Sequence, residues 1–460
     1  MTARAQPVAR AGHSDDGLKS YPAYRPARVH WLGDIPDHWS EKRGKYFFRE
    51  VDERSQSGEE ELLSVSHTTG VTPRSQKNVT MFKAESYTGH KIARPNDIVI
   101  NTMWAWMSAL GVSKNVGIVS PAYGVYRPLN DADFLPTYLD YLLRTPMLRW
   151  EYICRSTGIR SSRLRLYPDK FLDIPFPCPP RDEQERMVAF LRTKDAQVRR
   201  LIRNKRRLIG LLNEQKQAII NRAVTRGLNP AAPMKPTGID WMPEVPAHWE
   251  VVKLKRFSRM KSGDSITAES IDETGTYPVY GGNGLRGYTD RFTHDGNFAL
   301  IGRQGALCGN VHRVSGTFWA SEHAIVTTLE PAHDLDWFVE LLRVMDLNQY
   351  SESAAQPGLA VDDIANLYAP LPPAGEQAEI AQHFRNEFTD LNTVLERTAR
   401  EITLIREYRE RLIADVVTGK LDVRHIEIAA PADEPAIDED DALDEDLDAE
   451  DTDELTEAED

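Results

Sequence analysis

The chain has 460 residues, 41% of them hydrophobic and 27% charged, and a formal net charge of −14. That is enough apolar material for several cores, but no run approaches the roughly 18 apolar residues of a membrane span or forms a signal-peptide core, so a cytoplasmic, non-membrane protein is expected. Three scattered cysteines (Cys154, Cys178, Cys308) form no C-x-x-C pair, which speaks against a zinc ribbon or a disulfide framework and fits a reducing compartment. The negative charge is local. Residues 431–460 carry 17 Asp or Glu and no Lys or Arg, leaving the rest at +3 and a nucleic-acid partner open.

In chain order, the Pro-, Ala- and Arg-rich residues 1–30 predict a flexible N-terminal segment. A first globular unit covers 31–180, with strand-like stretches at 62–65, 97–101, 117–120 and 123–126. A helix over 135–153 follows, with Leu139, Leu142, Leu143 and Trp150 on one face. Trp104 and Trp106, two apart, would share one side of an extended segment, and one or both are assigned to the core. Residues 181–228 predict a long helix, 229–240 a linker, 241–373 a second globular unit and 374–424 a second long helix. The second unit repeats the grammar of the first, with strands at 277–280, 297–302 and 324–329 and a helix near 337–344. Residues 425–460 read as a disordered, solubilising acidic tail. Short mixed strands with a late helix give an α/β mixed (α+β) fold in each unit.

Two phrases occur twice. W-L-G-D-I-P-D-H-W (31–39) returns as W-M-P-E-V-P-A-H-W (241–249), and P-P-R-D-E-Q-E-R (179–186) as P-P-A-G-E-Q-A-E (372–379). The first pair is offset by 210 positions and the second by 193, so a constant frame encloses an insert of variable length. The tryptophans of the first phrase are expected to anchor each unit. The long helices share one phase. Val188, Leu191, Val198, Ile202, Ile209 and Leu212 follow a 3–4 spacing, with Asp195, Lys205 and Lys216 filling the gaps. Phe384, Phe388, Leu391, Leu395, Ile402 and Ile405 continue that phase in the second helix. A shared seam over this length predicts a coiled coil between the two helices, and a two-helix antiparallel coiled coil would place the two units at opposite ends with a pseudo-twofold repeat. Residues 181–226 carry 13 basic against 5 acidic groups and residues 374–424 carry 8 against 10, which favours the pairing. Forty helical residues would span about 60 Å, comparable to one or two turns of B-DNA.

Catalytic readings fail on their requirements. Gly282-Asn-Gly-Leu-Arg-Gly287 satisfies G-x-G-x-x-G, but the residues after it do not open a helix, so no helix N-terminus receives a phosphate. No P-loop, methyltransferase tetrapeptide or H-E-x-x-H spacing occurs. No catalytic residue, metal site or cofactor is assigned to this chain. Binding chemistry fares better. Arg155, Arg160, Arg163 and Arg165 lie among small hydroxyl residues, a composition suited to phosphate oxygens and guanine edges. In the second unit Tyr280, Asn283, Arg286, Arg303 and Gln304 offer donors on turns, Arg toward guanine and Asn or Gln toward adenine.

With these residues in place, the layout resembles the specificity subunits of type I restriction–modification enzymes. The resemblance rests on W-x-x-[DE]-[IV]-P-x-H-W at 31–39 and 241–249 and on P-P-x-x-E-Q at 179–184 and 372–377. The stretches 118–126, 277–288 and 302–309 look like parts of target-recognition domains, and about 31–424 is covered. That resemblance implies a non-catalytic, DNA-binding subunit whose two target-recognition domains each read half of a bipartite double-stranded site, with the helices setting the unread spacer. It also implies docking of two modification (methyltransferase) and two restriction (translocase–nuclease) subunits, which bring S-adenosylmethionine, ATP and Mg2+. An alternative is a non-catalytic protein-binding adaptor with a coiled-coil spacer.

Overall fold

The computed structural model describes residues 18–76, 86–158, 164–305, 307–351 and 358–428. They form two compact units, one from the chain up to Arg203 together with Ile402 onward, the other from Asn204–Glu401. The boundary falls inside both long helices, Arg181–Arg226 and Ala374–Val417, so each unit owns a piece of each helix.

The first unit is built on a four-stranded antiparallel sheet of β1 (Phe48–Glu50), β2 (Ile98–Ile100), β3 (Leu110–Val112) and β4 (Gly124–Pro128), in the order β1-β4-β2-β3. Short apolar runs make the central β2 and β3, buried at every residue, whereas Arg49 and Glu50 of β1 are exposed. The helix expected over 135–153 is two helices, Pro136–Leu143 and Pro146–Arg155. Pro146 has no N–H to give the Leu142 carbonyl, so the first helix stops and the proline opens the next. Trp150 falls on the outside and is 66% exposed, while Leu139, Leu142 and Leu143 face the core.

The second unit carries a six-stranded sheet of β5 (Ser258–Ser262), β6 (Tyr277–Gly281), β7 (Gly284–Thr289), β8 (His294–Gly302), β9 (Val311–Ala320) and β10 (Ala324–Leu329). Its order is β5-β10-β8-β9-β6-β7. The first four places repeat the first unit's β1-β4-β2-β3, and the β6–β7 hairpin is an addition, laid parallel along β9. The glycine-rich 282–287 stretch is the turn of that hairpin and the first four residues of β7, with no helix after it.

The repeated phrases close each unit in the same way. In the first, the Glu183 carboxylate is buried and accepts from His38 Nε2 (2.6 Å), Trp39 Nε1 (3.0 Å), Tyr21 Oη (3.2 Å) and Arg424 Nη1 (3.2 Å). In the second, Glu376 accepts from His248 Nε2 (2.8 Å) and Trp249 Nε1 (2.9 Å). The neighbouring glutamines tie down the chain before a helix. Leu135 N–H donates to Gln184 Oε1 (2.6 Å), and Asp334 N–H to Gln377 Oε1 (3.0 Å). Trp39 and Trp249 are among the largest fully buried side chains.

Each long helix ends on a left-handed glycine seated against such a tryptophan. Gly419 (φ 77°) lies on Pro36 and Trp39, and Gly227 (φ 69°) on Trp249 and Glu376. Residues 18–30, expected to be flexible, contribute structure instead. Tyr21 is buried, Tyr24–Pro26 pairs antiparallel with Asp34–Pro36, and the Tyr24 hydroxyl donates to the Gly419 carbonyl at 3.1 Å. In the second unit Met234–Ile239, within the presumed linker, pairs with Met242–Pro246 in the same way. Residues 1–17 and the acidic residues 429–460 lie outside the described residues.

The helix seam is buried or half-buried at each of Val188, Leu191, Val198, Ile202, Ile209, Leu212, Phe384, Phe388, Leu391, Leu395, Ile402 and Ile405. Its three polar gaps are matched across the pair. Asp195 meets Arg409 within the first unit. Within the second, Lys205 meets Glu401 at 2.6 Å, and Lys216 donates to Asn392 at 3.0 Å while lying 4.8 Å over the Phe388 ring. Partner numbers fall as helix numbers rise, so the two helices are antiparallel there.

Candidate nucleic-acid interface

In the second unit three turns meet at one end of the sheet. They are the β6–β7 turn at Gly282 and Asn283, the β8–β9 turn opened by Arg303 and Gln304, and the β9–β10 turn at Ser321–His323. The approach is close enough to require glycine. A Cβ on Gly302 would lie 2.2 Å from the Gly282 carbonyl oxygen, and one on Gly282 would lie 2.9 Å from that of Gln304. Arg286 lays its aliphatic stem over Gly281 and is exposed, as are Asn283 and Gln304. The fold thus gathers Asn283, Arg286, Arg303 and Gln304. Tyr280 stands apart, its ring edge-on to Phe318 at 5.6 Å in the packed layer beneath. His312 lies under the β6–β7 turn, where burial and then the Arg343 guanidinium push its imidazole below the ordinary range.

Three residues outside the sequence expectations support this cluster. Ser262 Oγ accepts from Arg303 Nη1 (3.0 Å) and donates to the Glu322 carbonyl (3.3 Å). Arg303 N–H donates to the His323 carbonyl (2.8 Å), and the His323 ring meets the Gln304 side chain (2.8 Å). The available signal was the short polar run Ser321-Glu322-His323 between two apolar strands.

The equivalent turn of the first unit joins β2 to β3 and has other chemistry. Trp104 and Trp106 stack at 6.0 Å and 17° around the short turn Ala105–Met107. Both are half-buried rather than in the core, because β2 ends at Ile100 and the chain coils back through Ser108 at φ 66°. Trp106 Nε1 donates to the Met103 carbonyl at 3.0 Å, so the indole's polar atom is already satisfied. Arg149 donates to the Trp106 carbonyl (3.2 Å), and exposed Arg165 reaches the Met103 sulfur at 3.8 Å. Arg155 is engaged by Glu151 (2.5 Å) and Asp173 (3.4 Å), while Arg160 and Arg163 lie outside the described residues.

Among the described residues no group of three His, Cys, Asp or Glu could hold a metal ion, and no helix is long and apolar enough to cross a membrane.

The description "Type I restriction modification DNA specificity domain" fits residues 246–403. The chain is 42% identical over 164 residues to the type I restriction enzyme EcoprrI specificity subunit of Escherichia coli, a match covering 34% of this chain and 41% of that protein. It is 25% identical over 116 residues to the putative type I restriction enzyme specificity subunit S.HindORF215P of Haemophilus influenzae, covering 25% of this chain and 30% of that one. The matched segments therefore span less than half the length of these relatives. In fold, the chain is similar to one from a structural study of complex assembly and conformational transition of the type I R-M system. The TM-score is 0.61 at 15% identity, covering 83% of this chain and 98% of that one. By sequence over residues 246–403 and by fold over most of its length, the chain is similar to specificity subunits of type I restriction–modification systems.

Proposed function

We propose that this chain is the DNA sequence-specificity subunit of a type I restriction–modification complex and reads a bipartite double-stranded site, one unit per half. The observation that carries the reading is the shared four-strand order bearing two unlike turns, stacked Trp104 and Trp106 in one and Arg303 with Gln304 in the other. A single frame with two chemistries suits two different half-sites. The long helices, 46 and 44 residues, act as the spacer, on the order of 65 Å at the usual helical rise. The chain catalyses nothing itself. It docks two modification subunits, which methylate adenine using S-adenosylmethionine, and two ATP- and Mg2+-dependent restriction subunits.

The test is methylome sequencing of a host lacking other methyltransferases, expressing this chain with its neighbouring methyltransferase. A split motif with one methyladenine per half, on opposite strands, is expected. Exchanging residues 241–373 for those of a relative should change one half only. A continuous motif would overturn the bipartite reading, and no methylation from an assembled complex would favour a protein-binding adaptor. DNA affinity should also fall steeply with salt as phosphate contacts release counterions, and a flat salt response would count against the interface.

A further inference from the structure

One face of the first long helix is basic and has no acid to answer it. Between Arg186 and Arg203 the helix carries six Lys or Arg and a single acid, Asp195, which is held by Arg409 and Arg199. Arg186, Arg192 and Arg200 are exposed and, at the usual helical repeat, fall within about 120° on the side away from the seam. Arg186 donates to the Arg424 carbonyl at 3.0 Å and Arg192 to the Thr137 hydroxyl at 3.4 Å. None of the three forms an ion pair with a described residue.

The opposite charge follows in the same unit. Residues 429–460 hold 17 Asp or Glu and no Lys or Arg. They continue from Ile428, whose side chain packs on the core of the first unit. Arg424, just before it, is tied to the first turns of the helix through Arg186 and through Glu183 at 3.2 Å. The acidic residues thus start where the basic face starts. Arg186 to Arg200 is about 21 Å along the helix, a distance that roughly seven extended residues cover. The acidic segment is several times longer than that.

DNA is also a polyanion and would suit the same face, but a tethered segment is present at an effective concentration on the order of millimolar. Exposed charge pairs are individually weak, so the contact would be multivalent, reversible and sensitive to salt. We propose that residues 429–460 dock on the outer face of this helix, over Arg186, Arg192 and Arg200. The docked acids hold the place that phosphates of any sequence would otherwise take, and selection is left to the recognition turns. That consequence, unlike the docking, rests on the function proposed above.

Two measurements on the full chain test this, with variants checked for unchanged melting. Arg192→Lys and Arg200→Lys keep the charge and supply amines. Zero-length carbodiimide cross-linking at low salt should join acids of 429–460 to those two positions, and high salt should abolish the links. Links spread equally over exposed lysines of the same unit, such as Lys45 and Lys114, would overturn the docking. Exchanging the 17 acids for Asn or Gln should tighten binding to a duplex of scrambled sequence about tenfold at low salt. Adding Arg186→Gln, Arg192→Gln and Arg200→Gln should cancel that gain. A gain that survives the arginine changes would overturn the docking in favour of long-range repulsion, and no gain at all would overturn the shielding. A chain that docks these residues yet selects no sequence would leave the contact standing and overturn the function proposed above.

Discussion

Glu183 shows how much one carboxylate can organise. It is buried, accepts from four side chains drawn from the beginning and end of the first unit, and cannot be removed without taking the acceptor from the buried Trp39 indole and Tyr21 hydroxyl. Glu376 holds two such donors and is more open to solvent. Glu183→Ala should therefore cost about 3 kcal/mol, as expected when one partner of a buried ion pair is lost, and Glu376→Ala about 1 kcal/mol. Urea unfolding of the full chain would measure both, with hydrogen exchange locating each loss in its own unit. Equal costs would show that the extra donors, Tyr21 and Arg424, add nothing. At this scale the sequence was only partly legible. The repeated H-W and E-Q pairs announce themselves because both members recur, although nothing in either phrase says that they touch. The bond between His323 and Gln304 joins two turns nineteen residues apart, and no periodicity points to it. Arg155 was legible in hindsight, since Glu151 stands four residues before it in a helix.

Among elements, the long helices were the easiest to read, because a 3–4 spacing sustained over this length has few other meanings, and even the polar gaps find partners. The strands that were expected came out within a few residues, whereas β3, β7 and the ten-residue β9 were not expected. The failures have local causes, a proline that splits one helix and a coil that takes Trp104 and Trp106 out of an extended segment. The second strand of the β6–β7 hairpin was hidden because its glycines serve close backbone approach, which leaves no apolar pattern. The helix ends allow a comparison. An added methyl at Gly419 would fall 2.5 Å from Pro36 and 2.8 Å from Trp39, whereas at Gly227 the tightest contact is 2.9 Å, to a carboxylate that can swing away. Gly419→Ala should cost about 3 kcal/mol, combining left-handed strain with overpacking, and Gly227→Ala about 1 kcal/mol. Thermal melting of the two variants would rank them, and the reverse order would show that the tryptophan seat yields more readily than the carboxylate.

At the scale of the whole molecule, the two units bury different chemistry. Tyr126, Tyr138 and Tyr152 are among the largest fully buried side chains of the first unit, whereas Trp249, Trp337, Phe257 and Phe318 fill that role in the second. Burial raises the hydroxyls of all three tyrosines, and that of Tyr21 with them, above the ordinary value near 10, and it pushes the Cys178 thiol up to about 11. A raised pKa means that the folded state keeps the proton while the unfolded chain gives it up. This stability is thus intact below the unfolded value and drains away as pH climbs past it. The first unit should open before the second between about pH 9 and 12, visible as hydrogen exchange spreading through β1–β4 while β5–β10 stay protected. Simultaneous opening would mean that the buried hydroxyls do not govern the alkaline limit.

The bridge between Lys19 and Asp422, with Tyr24 capping the end of the second helix, has a topological consequence. The described chain is a ring with one unjoined link. A gene rearranged so that residue 428 leads through a short connector into residue 18, with new ends cut between Asn229 and Pro233, would carry the same contacts in a different reading order. Where translation starts would then be a property of the gene and not of the fold.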